Sequence, residues 1–350
     1  MKTVLLAPTP PPRGGIAGWT ERMLKTELKN GWQISVVDEK LLGKREVFGK
    51  NSKRNILNEI KRCFRIWNDL KEELKFDEVQ VVQSCIPATT TAMMREFVCE
   101  SITHRHKKKF IIHFRCTLPN MVKGKLAQII LLNFASKADG IFVLNQQSAN
   151  FLEALGCKTS MEIIPNFIED FKLQEKKIVR DTIKKLVYVG GVIPEKGCDI
   201  IISTAKMMPE KEFYLVGKNG MADIDAPPNV FFTDELDKNE VEKFLQDADV
   251  FLFVSRFYGE GFSNALAEAM AQGLPCIASD WAANRDMLED KGGIILPVNT
   301  PEAVKEAIDL LEPRQKRISC GSWNVQKVLK CYTESIITSK YVDAYERICK

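Results

Sequence analysis

The chain has 350 residues, 45% of them hydrophobic and 27% charged, and its 50 basic and 46 acidic side chains leave a net charge of +4. That length favours two domains of ~100–200 residues each, and so even a charge balance gives no argument for a nucleic-acid binder. Ten cysteines without CxxC spacing and three histidines outside zinc spacing exclude a zinc ribbon, and with no run of ~18 apolar residues they point to a cytoplasmic protein with reduced thiols.

Apolar runs of strand length alternate with segments of helical period. Residues 3–7 form a run that breaks at Pro8. It is too short for a signal peptide and reads as a buried first strand. A helix is predicted over 16–29, then a strand over 33–38. A long amphipathic helix follows over 55–74, with an apolar stripe of Ile56, Ile60, Phe64 and Trp67. That stripe is expected to face the core and leave Lys61, Arg62 and Arg65 in solvent. Basic pairs Lys44-Arg45 and Lys53-Arg54 precede it, and docking on anionic lipid is the sharper reading of the same pattern. Strands are predicted over 79–83, 110–114 and 140–144, with helices over 89–98 and 146–155. The second half gives strands over 186–189, 213–216, 230–233, 250–254 and 275–278 and helices over 199–207, 238–246 and 263–272. Such alternation indicates βαβ units and a parallel sheet. The halves are not sequence repeats, so two separate doubly wound domains are expected, 1–167 and 168–325, divided near Pro165-Asn166-Phe167. The charged stretch 169–180, with Glu175, Lys176 and Lys177, reads as a solvated linker or a first helix of the second domain. Residues 323–349 look like one long helix, and the segment 326–350 is expected to be helical and to cross back onto the first domain.

The segment that carries chemistry runs from Tyr258 to Pro275, YGEGFSNALAEAMAQGLP. A buried strand ends at Ser255, a loop follows, and a helix opens near Ser263. In open α/β sheets ligands bind outside the carboxyl ends of the strands, and a helix N-terminus there offers free amides and partial positive charge to an anion. Gly259 and Gly261 allow close backbone approach. Glu260 lies in the loop, and Glu268 lies inside a thin helix of alanines. A solvated helix face and a partner for a sugar or ribose hydroxyl are both open readings of Glu268.

Glu260, seven intervening residues and Glu268 resemble the EX7E motif of retaining GT-B glycosyltransferases, most closely those of family 4. The stretch Tyr188–Gly197 (YVGGVIPEKG), Leu215-Val-Gly217 and the strand ending at Ser255 resemble the same family. The resemblance covers most of the second half and is diffuse in the first. It implies an α/β GT-B architecture, two Rossmann-like domains facing across a cleft. It also implies a site in which Lys196 holds the diphosphate and Glu268 the ribose hydroxyls, while Glu260 lies by the donor sugar. Gly190, Gly261, Phe262 and Ser263 would serve the sugar and phosphates. The family usually has an arginine where this chain has Gly191; either Arg256 or Lys218 replaces that cation, or the donor contact is weaker. Gly14 and Gly15, after Arg13, resemble the glycine loop that meets the donor phosphates from the first domain. They match neither a GxGxxG fingerprint nor a P-loop. His113, at a strand end, stands where the family often places a histidine near the reacting sugar, with Arg115 on the same rim. A structural histidine is the competing reading.

The implied activity is retaining, metal-independent transfer from a nucleotide-diphosphate sugar, a uridine nucleotide by family usage. The acceptor would be a saccharide or lipid-linked saccharide in cell-surface polysaccharide synthesis, with peripheral contact on the inner membrane. The nucleotide sugar is a substrate, and no cofactor is implied. Asp223-Ile-Asp225 matches a DxD metal motif but reads as a surface loop, so no metal site is expected. A GT-B epimerase or phosphorylase, a non-catalytic sugar-nucleotide-binding subunit and a dehydrogenase-like Rossmann protein are the rival readings.

Overall fold

The computed structural model describes residues 1–11, 14–42, 55–171, 178–221 and 223–350. The chain divides into two compact units, Met1–Pro165 with Ile337–Lys350, and Asn166–Ile336. In chain order the first unit contains β1 (Lys2–Ala7), α1 (Gly15–Lys25), β2 (Gln33–Asp38), α2 (Ile56–Glu73), β3 (Val79–Ile86), α3 (Thr90–Arg105), β4 (Lys109–Phe114), α4 (Leu118–Met121), α5 (Lys125–Ala135), β5 (Gly140–Val143), α6 (Gln146–Ala154) and β6 (Met161–Ile163). The second contains β7 (Lys185–Val189), α7 (Cys198–Lys206), β8 (Glu212–Val216), β9 (Val230–Phe232), α8 (Lys238–Asp247), β10 (Val250–Phe253), α9 (Asn264–Ala271), β11 (Cys276–Ser279), α10 (Asn284–Leu288), β12 (Gly293–Leu296), α11 (Pro301–Leu310) and α12 (Arg314–Cys331). The last helix, α13 (Glu334–Cys349), begins in the second unit and ends in the first.

Each unit is built on a six-stranded parallel sheet, in the orders β2-β1-β3-β4-β5-β6 and β12-β11-β10-β7-β8-β9. The strands read as near-continuous apolar runs because both faces are covered. Alternation assigns the faces in the first unit. Phe110, Ile112 and Phe114 of β4 join the core built with α2, α3, α5 and α6, whereas the intervening His113 meets Trp19 of α1 and Tyr341 of α13.

Three expectations are corrected. The helix over 16–29 stops at Lys25, and a short turn follows in which Asn30 and Gly31 take φ of 58° and 70°. Residues 323–349 are two helices, because Tyr332 and Thr333 leave the helical path. The Tyr332 carbonyl accepts the Ile168 amide at 2.9 Å and Thr333 bridges to Ile168. The third correction concerns α2. Its core side is Ile66 and Leu70, with Trp67 partly buried, while Ile56, Ile60 and Phe64 are 73%, 46% and 57% exposed. The arginines turn inward: Arg62 Nε donates to the Glu39 carbonyl and Arg65 to the carbonyls of Asp38 and Lys40. The predicted stripe lies one face away from the true one, because inward-bonded arginines occupy the margin that a solvated basic face would take. Lys44-Arg45, Lys53-Arg54, and Glu175 to Lys177 lie outside the described residues.

Candidate active site

In the second unit the site is assembled at the carboxyl ends of β7 and β10. Beyond β7 the chain turns at Gly190 (φ 148°) and runs through Gly191 to a single 3-10 turn at Pro194–Lys196. Gly197, at φ 79°, then starts α7. A Cβ on Gly197 would stand 2.2 Å from the Val254 carbonyl oxygen. Glycine there is therefore required by both conformation and room, and it lets the turn lie directly against the end of β10. Gly217 does the same for the neighbouring strand: its Cβ would meet the Gly190 carbonyl oxygen at 2.1 Å, and the Gly190 amide donates to the Val216 carbonyl. The Tyr188 hydroxyl donates to the Gly191 carbonyl at 2.9 Å and fixes the turn from below. Sequence reasoning misses this tyrosine; an aromatic with a polar tip two residues before a Gly-Gly turn is the available signal.

The loop after β10 is tied down in the same way. The Arg256 amide donates to the Glu195 carbonyl at 2.9 Å, Trp281 Nε1 to the Phe257 carbonyl at 2.8 Å, and Asn299 Nδ2 to the Val254 carbonyl at 2.6 Å. These bonds bring together two residues 64 positions apart: Lys196 Nζ lies 2.5 Å from Glu260 Oε2, with the side chains 22% and 10% exposed. The ammonium also sits 5.0 Å from the Phe257 ring centroid. An ammonium has three donors, so one can hold Glu260 while the others meet phosphate oxygens.

Helix α9 starts beside this pair. Ser263 is its N-cap and its Oγ accepts the Leu266 amide at 3.2 Å, so the hydroxyl caps the helix while its own O–H can still donate. Phe262 is 6% exposed and packs edge-on against Tyr332 at 5.1 Å; it anchors the loop rather than presenting its ring. Gly261 is buried beside it, and Glu268 is half-buried on the same side of α9 as Asn264. Arg256 points to Asp199, at 2.7 Å, with both side chains well exposed. Position 191 is exposed, and a Cβ there would meet nothing within 4 Å. Lys218 is exposed on the neighbouring strand end, where its carbonyl accepts the Val192 amide. Asp225 lies in a loop with its side chain 99% exposed, 3.4 Å from Lys206, and no group of three His, Cys, Asp or Glu suited to a metal occurs among the described residues.

In the first unit the predicted residues lie at the carboxyl edge of its own sheet. Gly14 caps α1 with extended backbone, φ −162°, and no side chain caps the helix. Neither Gly14 nor Gly15 has anything within 4 Å of a Cβ, so these glycines leave room rather than relieve strain. Arg13 lies outside the described residues.

His113 departs from the expectation of a sugar contact. It is fully buried, with Nδ1 3.2 Å from the Tyr341 hydroxyl and 3.4 Å from Gln83 Nε2, and with Arg115 3.2 Å from Nε2. Burial, with the Arg115 guanidinium beside it, holds its pKa well below the usual histidine range, so the imidazole is neutral. The reason is α13, whose Tyr341 and Tyr345 cover this face; nothing local to β4 announces that cover. Arg115, stacked 4.1 Å over the Trp19 ring, is the outer of the two and is 7% exposed.

Two parallel six-stranded units, one carrying a glycine turn, a lysine–glutamate pair and a small-residue helix with a second glutamate, define the GT-B class of fold. Residues 183–312 match the family described as Glycosyl transferases group 1. The chain is 24% identical over 257 residues to the N,N'-diacetylbacillosaminyl-diphospho-undecaprenol alpha-1,3-N-acetylgalactosaminyltransferase of Campylobacter jejuni, a match covering 66% of each chain. It is 24% identical over 303 residues to the O-antigen biosynthesis glycosyltransferase WclY of Escherichia coli, covering 80% of this chain and 81% of the relative. The structure of Anabaena HepE in complex with UDP superposes with a TM-score of 0.72 at 14% identity, over 99% of this chain and 100% of that one.

Proposed function

We propose that the protein is a retaining, metal-independent glycosyltransferase. It moves a sugar from a UDP-sugar to a saccharide or lipid-linked saccharide acceptor in cell-surface polysaccharide synthesis, and works in peripheral contact with the inner membrane. The juxtaposition of Lys196 and Glu260 at 2.5 Å carries the reading. As the sugar–phosphate bond breaks, negative charge builds on the diphosphate. The Lys196 ammonium and the amide-bearing start of α9 are in place before reaction, so they stabilise that charge without reorganising. Glu260, held by Lys196, lies toward the donor sugar, and Glu268 accepts from ribose hydroxyls. Gly190 and the backbone of Gly261, Phe262 and Ser263 border the phosphates; Gly14 and Gly15 serve from the first unit. The relatives support the substrate class: one acts on a diphospho-undecaprenol-linked acceptor by its name, one serves O-antigen biosynthesis, and the HepE structure holds UDP.

The test is release of UDP from UDP-sugars with and without acceptor, preceded by a thermal-shift screen across nucleotide sugars. Acceptor-dependent release is expected; release without acceptor marks an epimerase- or hydrolase-like enzyme, and binding without any release marks a non-catalytic subunit. A chelator is expected to leave the rate unchanged, and loss of activity restored by a divalent cation would return the Asp223–Asp225 loop to consideration.

Because position 191 is exposed and an added Cβ would meet nothing within 4 Å, Gly191→Arg is expected to tighten nucleotide-sugar binding by ~10-fold, by adding a charge-assisted hydrogen bond to phosphate. Calorimetric titration with UDP checks this; unchanged affinity would show that the position does not face the diphosphate.

A further inference from the structure

The loop that carries Glu260 also carries an aromatic ring turned to solvent, that of Tyr258, 59% exposed. Singly exposed large side chains are ordinary; the place of this one sets it apart. The Phe257 carbonyl accepts the Glu260 amide at 3.1 Å, which closes a four-residue turn with Tyr258 and Gly259 at its corner. Two residues of chain span at most ~7 Å, so the ring and the Glu260 carboxylate leave the same tight turn. That turn is held from several sides. The Phe257 amide donates to Ser255 Oγ at 3.3 Å, and the Phe257 carbonyl takes a second bond from Trp281 Nε1 at 2.8 Å. The Arg256 amide is tied to the Glu195 carbonyl. A Cβ at Gly259 would stand 2.8 Å from Phe257 Cε1, so the turn also packs on its own first side chain. A tyrosine has few rotamers, and on a fixed turn it loses little entropy when a ligand meets it.

The two adjacent aromatics of the turn have different surroundings. Their ring centroids lie 4.9 Å apart at 44°. Phe257 is half-buried and has the Lys196 ammonium 5.0 Å from its centroid, which puts it with the groups assigned to the diphosphate. Tyr258 keeps its ring in water. A side chain on the donor side is drawn inward, as Glu260 is at 10% exposure; a ring that faces outward meets the molecule arriving from solution. The ring's chemistry fits a pyranose. Sugar C–H groups, polarised by neighbouring oxygens, face the negative π surface, while the sugar hydroxyls stay in water or reach the phenol. A phosphate or a linear polyol presents no such flat C–H face. We propose that Tyr258 is the stacking platform for the acceptor's terminal sugar ring, and that it selects a pyranose over a non-sugar acceptor. The assignment rests on the transfer reaction proposed above and narrows its acceptor class.

Saturation-transfer NMR tests it, with the protein held in excess UDP and the methyl glycosides of glucose, galactose, mannose and N-acetylglucosamine as probes. Transfer to the ring protons of at least one glycoside is expected. Tyr258→Ala is expected to weaken that glycoside's binding ~10-fold, and Tyr258→Phe to keep it, because the ring face rather than the hydroxyl makes the contact. The side chain is exposed, so both variants are expected to melt with the parent. No transfer to any of the four glycosides, transfer indifferent to Tyr258→Ala, or equal loss in Tyr258→Phe would overturn the proposal. So would a matching loss of UDP affinity in Tyr258→Ala, which would move the ring to the donor. Calorimetric titration of the parent with UDP reports on the donor site by itself, so a failure there counts against the proposed transfer reaction and not against the platform.

Discussion

Lys196→Ala and Glu260→Gln are each expected to lower sugar transfer by ~10²–10³-fold while leaving the melting temperature within a few degrees of the parent. The rate effect follows from position. The glycine turn after β7 lies so close to β10 that a methyl at Gly197 would enter the Val254 carbonyl, and the Arg256–Glu195 backbone bond fixes the two loops together. The ammonium is thus held where the proposed reaction would build leaving-group charge, and pre-placed charge is worth more in a site shielded from water than in bulk. The stability effect is expected to be modest because Glu260→Gln keeps a hydrogen-bonding group beside Lys196 and neither partner is fully buried, at 22% and 10% exposed. The two variants differ in kind: loss of Lys196 is expected to raise the dissociation constant for UDP, whereas Glu260→Gln keeps UDP binding and loses turnover. Full activity in either variant removes that residue from its role, and equal loss accompanied by a collapsed melting temperature would assign the pair to folding.

The second large effect is expected at a cluster that no sequence motif singles out. Arg95 of α3, 9% exposed, holds Glu39 at 2.6 Å and Glu96 at 2.7 Å, and these carboxylates are 2% and 0% exposed. Ser84 donates to the second oxygen of Glu96 at 2.8 Å. One guanidinium therefore serves two buried carboxylates. Arg95→Met is expected to destabilise the protein by ~3–5 kcal/mol, because it strands buried charge rather than merely deleting a bond. Adding Glu39→Gln and Glu96→Gln is expected to recover most of the loss, since a neutral cluster carries no such penalty. The deficit also depends on pH. Burial raises the Glu39 pKa well above the usual carboxylate value even with Arg95 beside it. Its contribution to stability is thus present at low pH and fades as pH rises through that raised value, so the Arg95→Met deficit is expected to shrink on acidification. Urea unfolding of the single and triple variants at two pH values checks all three points; a loss below ~1 kcal/mol in the single variant would count against the cluster as a stabilising unit.

The alternation of apolar runs and helical segments marked the βαβ units, and the run from Glu260 to Glu268 marked the loop and the start of α9. Both are local: the first follows from the periods of strand and helix, the second from residue types at fixed spacing. Some missed elements were short or weakly patterned, though α11, ten residues burying Val304, Ala307 and Ile308, was neither. Strand β6 has only three residues, none buried, and α5 is apolar nearly all round, so no stripe distinguished it.

The sequence by itself determined the two parallel α/β units and the glycine turn after β7, because backbone periodicity and turn chemistry are written within a few neighbouring positions. Tertiary structure alone decided that Lys196 meets Glu260, that α13 covers His113, that Arg95 joins Glu39 to Glu96, and which face of α2 looks outward. Each of these depends on side chains far apart in the chain, and on a choice between two apolar stripes of similar strength that is settled by what packs beside the helix.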